Sequence, residues 1–218
     1  MIKAIFWDND GVLVDTERLY FLATQQVLAT VGITLTKEQY VELFMVQSGG
    51  AWQLAADQGI SPGDIETLRQ ARNDLYSSLL REMPLTVAGV QEVLETLHKT
   101  YVMGIVTSSR SDHFALIHQR TGFLPYFQFV LTAGDYSRSK PDPDPYLRAI
   151  ERSGVQRDEC LVIEDSERGL IAATAAGIRC IIVPNELTRG RPFVGAHKIL
   201  NNLSELLAEL SSAGHLDE

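Results

Sequence analysis

From Pro84 onward, short apolar runs alternate with stretches of helical periodicity, and this alternation restricts the fold more than any other feature of the 218-residue chain. Residues 87–98 read as a helix, 102–106 as a strand, 112–121 as a helix and 127–131 as a strand. The pattern continues with helices at 145–152 and 167–176 and strands at 160–163 and 180–183. Each strand is almost continuously apolar, as a strand covered on both faces must be. Strands linked by helices pair in parallel, so the sequence predicts an α/β fold with a Rossmann-like parallel sheet. A further apolar run, residues 2–7, supplies one more strand at the start of the chain.

Residues 17–83 break the alternation. Leu19, Leu22, Ala23, Val27 and Leu28 recur at helical spacing until Gly32. Thr36-Lys37-Glu38-Gln39 has the form of a capping box, and the glycine pair Gly49-Gly50 interrupts the helix it starts. Ser61-Pro62-Gly63-Asp64 opens another helix, reaching about residue 82, with a cap serine, a proline at the first position and an acid in the first turn. The segment is therefore expected to be an all-helical insertion after the first strand. It divides the chain into a core at 1–16 and 84–218 and a helical cap at 17–83.

In open parallel sheets ligands lie beyond the carboxyl ends of the strands, so reactive residues are sought there. The first strand stops at Asp8-Asn9-Asp10-Gly11. Two carboxylates this close repel one another, which calls for a cation or a shared proton, and oxygen ligands suit Mg²⁺. The strand at 102–106 runs into Thr107-Ser108-Ser109-Arg110, whose hydroxyls and turn amides suit phosphate oxygens, although serine also caps helices. Lys140 stands in a proline-stiffened loop after the strand at 127–131, and the strand at 160–163 ends at Glu164-Asp165-Ser166. Taken singly, each has an ordinary explanation as a turn, a helix cap or a solvated loop. Their shared position at strand ends argues for one site.

The core strand ends resemble the four motifs of the haloacid dehalogenase superfamily of phosphotransferases. The continuation Val14-Asp15-Thr16-Glu17 resembles its β-phosphoglucomutase and phosphoglycolate phosphatase branch. The resemblance implies that Asp8 attacks phosphorus and forms an aspartyl-phosphate, and that Asp10 protonates the leaving group and then activates water. It also implies that Thr107, Ser108 and Lys140 hold the phosphoryl group. Mg²⁺ would be held by Asp8, Asp165 and the backbone carbonyl of Asp10, with Glu164 nearby. A small phosphorylated metabolite, of the sugar phosphate or phosphoglycolate class, is the expected substrate. Gln47 and Trp52, in the loop that follows the second cap helix, are candidate substrate readers, although Trp52 also fits a core position.

An acid at position 10 favours phosphate-ester hydrolysis over dehalogenation. Phosphomutase relatives usually carry a histidine early in the cap and an arginine in the cap loop. Here the matching places are Tyr20 and Val46-Gln47-Ser48-Gly49-Gly50-Ala51-Trp52, without an arginine, which favours a hydrolase. Signalling receiver domains share the aspartate, hydroxyl and lysine but lack so large an insertion. A dinucleotide oxidoreductase is disfavoured because no Gly-x-Gly-x-x-Gly follows the first strand.

A net charge of −9 and a pI near 5.0 argue against nucleic-acid and anionic-membrane partners. No basic segment leads into a long apolar stretch at the start, and a cytoplasmic location is expected. Cys160 and Cys180 border apolar runs and read as buried thiols. All five histidines are expected at the surface, His113 and His118 included. Residues 203–210 read as a closing helix, with 211–218 fraying.

Overall fold

The computed structural model describes residues 1–47 and 49–212. In chain order, β1 (Ala4–Trp7) is followed by four helices, α1 (Glu17–Ala29), α2 (Lys37–Tyr40), α3 (Trp52–Asp57) and α4 (Pro62–Glu82). The alternating part then runs α5 (Val90–Leu97), β2 (Val102–Val106), α6 (Ser111–His118), β3 (Phe129–Leu131), α7 (Asp144–Ser153), β4 (Cys160–Glu164), α8 (Glu167–Ala175), β5 (Arg179–Ile182), β6 (Lys198–Ile199) and α9 (Glu205–Ser212). Among the described residues the strands form one sheet in the order β3-β2-β1-β4-β5-β6, with every pairing parallel. This is the α/β architecture expected from the alternation.

β1 sits where the order of connection reverses, with β2 on one side and β4 on the other. That switch point opens the crevice at the carboxyl ends of the strands. Trp7 lies opposite Ile105 and Ile163, so Asp8, Val106 and Glu164 emerge at one level. Alternate residues of each strand face opposite ways. Ile5 and Trp7 join Met103, Ile105, Leu161 and Ile163 in one apolar layer, and Ala4 and Phe6 join Val106, Val162, Cys180 and Ile182 in the other. Both cysteines are buried and unpaired, as expected.

The inserted helices enclose a separate cluster around Leu28, Leu35, Tyr40, Met45, Trp52 and Ala55. The capping box at Thr36 is present, with Gln39 reaching back to the Thr36 amide. The helix then widens to π geometry over Val41–Val46 before Gly50 turns the chain at φ 73°. Ser61 caps α4 by accepting from the Asp64 amide. The far end of α4 returns to the sheet, where Tyr76 and Leu80 enter the core beneath β1 and Arg120 donates to the carbonyls of Leu80 and Met83.

Two element starts differ from expectation, and one strand was not expected. The helix expected from residue 87 begins at Val90, because Gly89 holds a left-handed turn (φ 82°) ahead of it. The strand expected from 127 begins at Phe129, after a 3₁₀ turn at Leu124–Tyr126. β6 carries no apolar alternation to betray it, since both its residues are exposed. Ser211 and Ser212 belong to α9, and the rest of the tail expected to fray lies outside the described residues. Among the described residues no helix is long and apolar enough to cross a membrane.

Candidate active site

A cavity of about 160 Å³ lies over the carboxyl ends of β1, β2 and β4, and the inserted helices form its other wall. Asp8, Asp10, Thr107, Ser108, Lys140, Glu164 and Asp165 all line it, although they come from four separated stretches of chain. Tyr20, Phe44, Met45 and Tyr76 face them from the helices.

Lys140 is 3% exposed and its ammonium is fully engaged: Nζ donates to Asp8 Oδ1 at 2.6 Å, Glu164 Oε1 at 2.7 Å and the Val106 carbonyl at 2.8 Å. An ammonium has three donors, so none is left for a ligand in this arrangement. Lys140 therefore contributes its charge to the cavity and fixes the orientation of Asp8. Burial alone would push the Lys140 ammonium down, but the two carboxylates outweigh it and raise its pKa above the ordinary lysine value.

Glu164 is the structural counterpart. Its Oε1 accepts from Lys140 and the Tyr146 hydroxyl, and its Oε2 accepts from the Asp165 amide and the Ser166 hydroxyl. Burial works against this carboxylate, yet the charge and hydrogen bond of Lys140, with those of Tyr146 and Ser166, hold it below the ordinary range. All four acceptor directions are occupied, and Glu164 braces Lys140.

Asp8 and Asp165 are less well compensated. Burial raises the Asp8 carboxyl to about 7 against the pull of Lys140, with Glu164 and Asp10 adding to the rise. Burial also raises Asp165 well above its ordinary value, and the charges of Asp8 and Glu164 push the same way. Carboxylate oxygens of Asp8, Glu164 and Asp165 lie within 4.8 Å of one another. A buried cluster of hard oxygen donors with excess negative charge fits a divalent cation such as Mg²⁺. Gly11 makes the approach possible: at its φ of +89° a Cβ would stand 2.1 Å from Asp165 Oδ2.

The Asp10 side chain is held apart from this cluster. It accepts from the hydroxyls of Thr16, Thr107 (3.1 Å) and Ser109 (2.6 Å) and from the Asn9 amide nitrogen (3.2 Å). Thr107 thus orients Asp10, while the Ser108 hydroxyl is buried and makes no hydrogen bond to another described residue.

Residues 5–183 match the haloacid dehalogenase-like hydrolase family. The chain belongs to that family. The hydrolase is 31% identical to protein CbbY of Cereibacter sphaeroides, over 94% of each chain. It is 29% identical to the phosphorylated carbohydrates phosphatase of Thermotoga maritima, over 94% of this chain and all of that protein. It superposes on the crystal structure of CbbY from Rhodobacter sphaeroides in complex with phosphate with a TM-score of 0.82 at 27% identity, over 97% of this chain and 100% of that one.

Two expected substrate readers of this hydrolase do not reach the cavity. Gln47 is exposed and donates to Glu42 Oε1, and Trp52 is buried among the inserted helices, with the guanidinium of Arg72 5.4 Å from its ring. The surface placement expected for His113 and His118 is also corrected: both are buried, His113 at the cavity wall and His118 beneath the loop that carries Asp10. They lie on the inner face of α6, where Phe114 and Ile117 anchor the helix to the core. Asn9 and Asn185 join the site unexpected from the sequence, Asn185 donating to Asp165, and Ser109, one of the three hydroxyls expected to suit phosphate oxygens, donates to Asp10 instead. Arg110 and Arg168 also line the cavity, and Arg168 is the second residue of α8, where the helical pattern gave no sign that it faces the acids. A polar residue between two acids at the end of an apolar strand was the one available signal, and it pointed to Asn9.

Proposed function

We propose that this hydrolase is a Mg²⁺-dependent phosphatase of a small phosphorylated metabolite, working through an aspartyl-phosphate on Asp8. The observation that carries the reading is the division of labour between the two aspartates. Asp8 lies against Lys140 and within the cluster that includes Asp165, whereas Asp10 is held apart by four hydrogen-bond donors. A nucleophile needs a nearby cation to meet a phosphate dianion, and a proton carrier needs its side chain free of that cation.

Asp8 and Asp165, with the carbonyl of Asp10, would hold the ion, and Glu164 would brace the site through Lys140. An ion held by these residues would supply positive charge to offset the repulsion between Asp8 and the phosphoryl oxygens. A carboxylate oxygen of Asp8 bonds to phosphorus as the bond to the leaving oxygen breaks, and Asp10 gives that oxygen its proton. Asp10 then takes a proton from the water that cleaves the aspartyl-phosphate, and both aspartates return to their starting state. Ser108, with its unpaired hydroxyl, is placed to donate to a phosphoryl oxygen. Residues 17–83 would act as a cap over the core formed by 1–16 and 84–218, excluding bulk water and reading the organic part of the substrate. Tyr20, Phe44 and Tyr76 take over the reading role expected of Gln47 and Trp52.

A phosphomutase is the second reading. Arg110 and Arg168 at the cavity wall supply cations that the cap loop lacks, and a second phosphate would use them. The test is phosphate release from p-nitrophenyl phosphate with and without Mg²⁺, for the natural protein and Asp8→Asn. Mg²⁺-dependent release, lowered at least about a thousandfold in the variant, is expected. No release by the natural protein would overturn the reading. Isomerisation of a hexose phosphate primed by its bisphosphate, at a rate above hydrolysis, would establish the mutase instead.

A further inference from the structure

A buried chain of polar groups runs from α6 to Asp10, and the chemistry proposed above does not account for it. Thr121 Oγ1 lies 2.8 Å from His118 Nδ1, His118 Nε2 lies 2.8 Å from Asn9 Oδ1, and Asn9 Nδ2 donates to Asp10 Oδ2 at 3.2 Å. Asn9 has no exposed surface and His118 is 7% exposed. An apolar pair at these positions would escape the desolvation cost of two buried polar side chains, so packing alone gives no reason for them.

We propose that His118 is a positioning residue for Asp10, acting through the side-chain amide of Asn9. The inference rests on the reading of Asp10 as proton carrier.

The hydrogen-bonding roles follow from the partners. An amide oxygen only accepts, so His118 Nε2 carries the proton, and its Nδ1 accepts from the Thr121 hydroxyl. Burial lowers the imidazole to about 4 and keeps it neutral with this single donor arrangement. The three hydroxyls on Asp10 are rotors that reorient at little cost, but the amide of Asn9 is a fixed dipole. With His118 donating to its oxygen, Asn9 turns its nitrogen toward Asp10. Without that donor only Asp10 holds the amide, and whenever Asp10 carries its proton the amide can turn its oxygen to accept it. His118 thereby keeps the nitrogen of Asn9 toward the catalytic acid in both of its protonation states. The backbone carbonyl of Asn9 accepts from the amides of Leu13 and Val14, so the main chain stays fixed while the amide turns.

The test separates leaving groups that need a proton from those that do not. Nitrophenolate departs from p-nitrophenyl phosphate unaided, while the more basic phenolate of phenyl phosphate calls on the acid. In His118→Leu, kcat/KM for phenyl phosphate is expected to fall roughly tenfold more than for p-nitrophenyl phosphate, with the loss in kcat rather than KM. Gln places an amide nitrogen where the imidazole Nε2 lies, so His118→Gln is expected to restore the ratio of the two substrates. Asn9→Leu is expected to reproduce the altered ratio, and His118→Leu to add nothing further to it. Equal losses on both substrates, an unchanged ratio in His118→Leu, or no rescue by glutamine would overturn the proposal. Should the leucine variant fail to fold, Asn9→Leu and His118→Gln decide it alone: natural-like ratios in Asn9→Leu, or a ratio in His118→Gln as altered as in Asn9→Leu, overturn it. A natural protein inactive on both substrates would overturn the phosphatase reading and this inference together, whereas an active one with unaltered ratios in the variants overturns this inference only.

Discussion

At the residue scale, the site depends on atoms that are missing as much as on those present. Gly11 and Gly169 each lie against an acid of the cluster: a Cβ at Gly11 would stand 2.1 Å from Asp165 Oδ2, and one at Gly169 would stand 1.9 Å from Glu164 Cδ. Gly11 also adopts a positive φ that costs other residues about 1–2 kcal/mol. Gly11→Ala is therefore expected to lower stability by at least that amount and to displace Asp165. The Mg²⁺ concentration for half-maximal phosphatase activity should rise about tenfold or more. An unaltered Mg²⁺ requirement in a folded variant would argue against Asp165 as a ligand. Lys140 shows the opposite dependence, on an atom that must stay. Lys140→Met leaves two buried carboxylates without their cation, and a loss of about 3–5 kcal/mol is expected in urea unfolding without Mg²⁺.

At the element scale, two helix caps with the same local geometry do different things. Ser61 at the start of α4 accepts from the Asp64 amide on an exposed surface and does not line the cavity. Ser166 at the start of α8 accepts from the Gly169 amide and also donates to Glu164 Oε2 at 3.0 Å. Ser61→Ala should cost about 1 kcal/mol in stability and leave kcat unchanged. Ser166→Ala should cost at least as much and lower kcat as well, because Glu164 loses one of the donors that brace Lys140. Thermal unfolding and steady-state kinetics on the pair of variants check both. The Ser61 cap was legible in the sequence because it is a local pattern of four residues, whereas Ser166 was read only as part of a strand end. That Ser166 caps α8 and is wired into the site was not legible, since Glu164 and Ser166 are set against each other only once β4 is paired on both sides and turns into α8.

At the scale of the whole molecule, the buried histidine couples folding to pH. His118 titrates near 6.5 when solvated and near 4 in the folded protein, because burial disfavours its charged form. Between those values the unfolded chain binds a proton that the folded protein does not, so stability rises with pH across the window. The contribution is complete above about 6.5 and is lost progressively as pH falls toward 4, up to about 3 kcal/mol in all. His118→Gln removes the titrating group, and urea titrations from pH 4 to 7 should show a slope one proton shallower for the variant. Identical slopes would place His118 in solvent.

The alternation after Pro84 and the helix signals before it were enough for the sequence alone to specify a parallel α/β sheet with a helical insertion. They also set Asp8, Asp10, Thr107, Ser108, Lys140, Glu164 and Asp165 at strand ends, because period and turn chemistry are written in neighbouring residues and strand order in such sheets follows few rules. Only the tertiary structure decided which of these groups share hydrogen bonds, that Lys140 spends all its donors on the protein, and that Trp52 turns inward while Arg168 and His113 reach the cavity. Those outcomes depend on the rotation of each helix about its axis and on contacts between residues a hundred positions apart. A local pattern fixes which face of a helix is apolar, but what that face meets is set by packing against the rest of the chain.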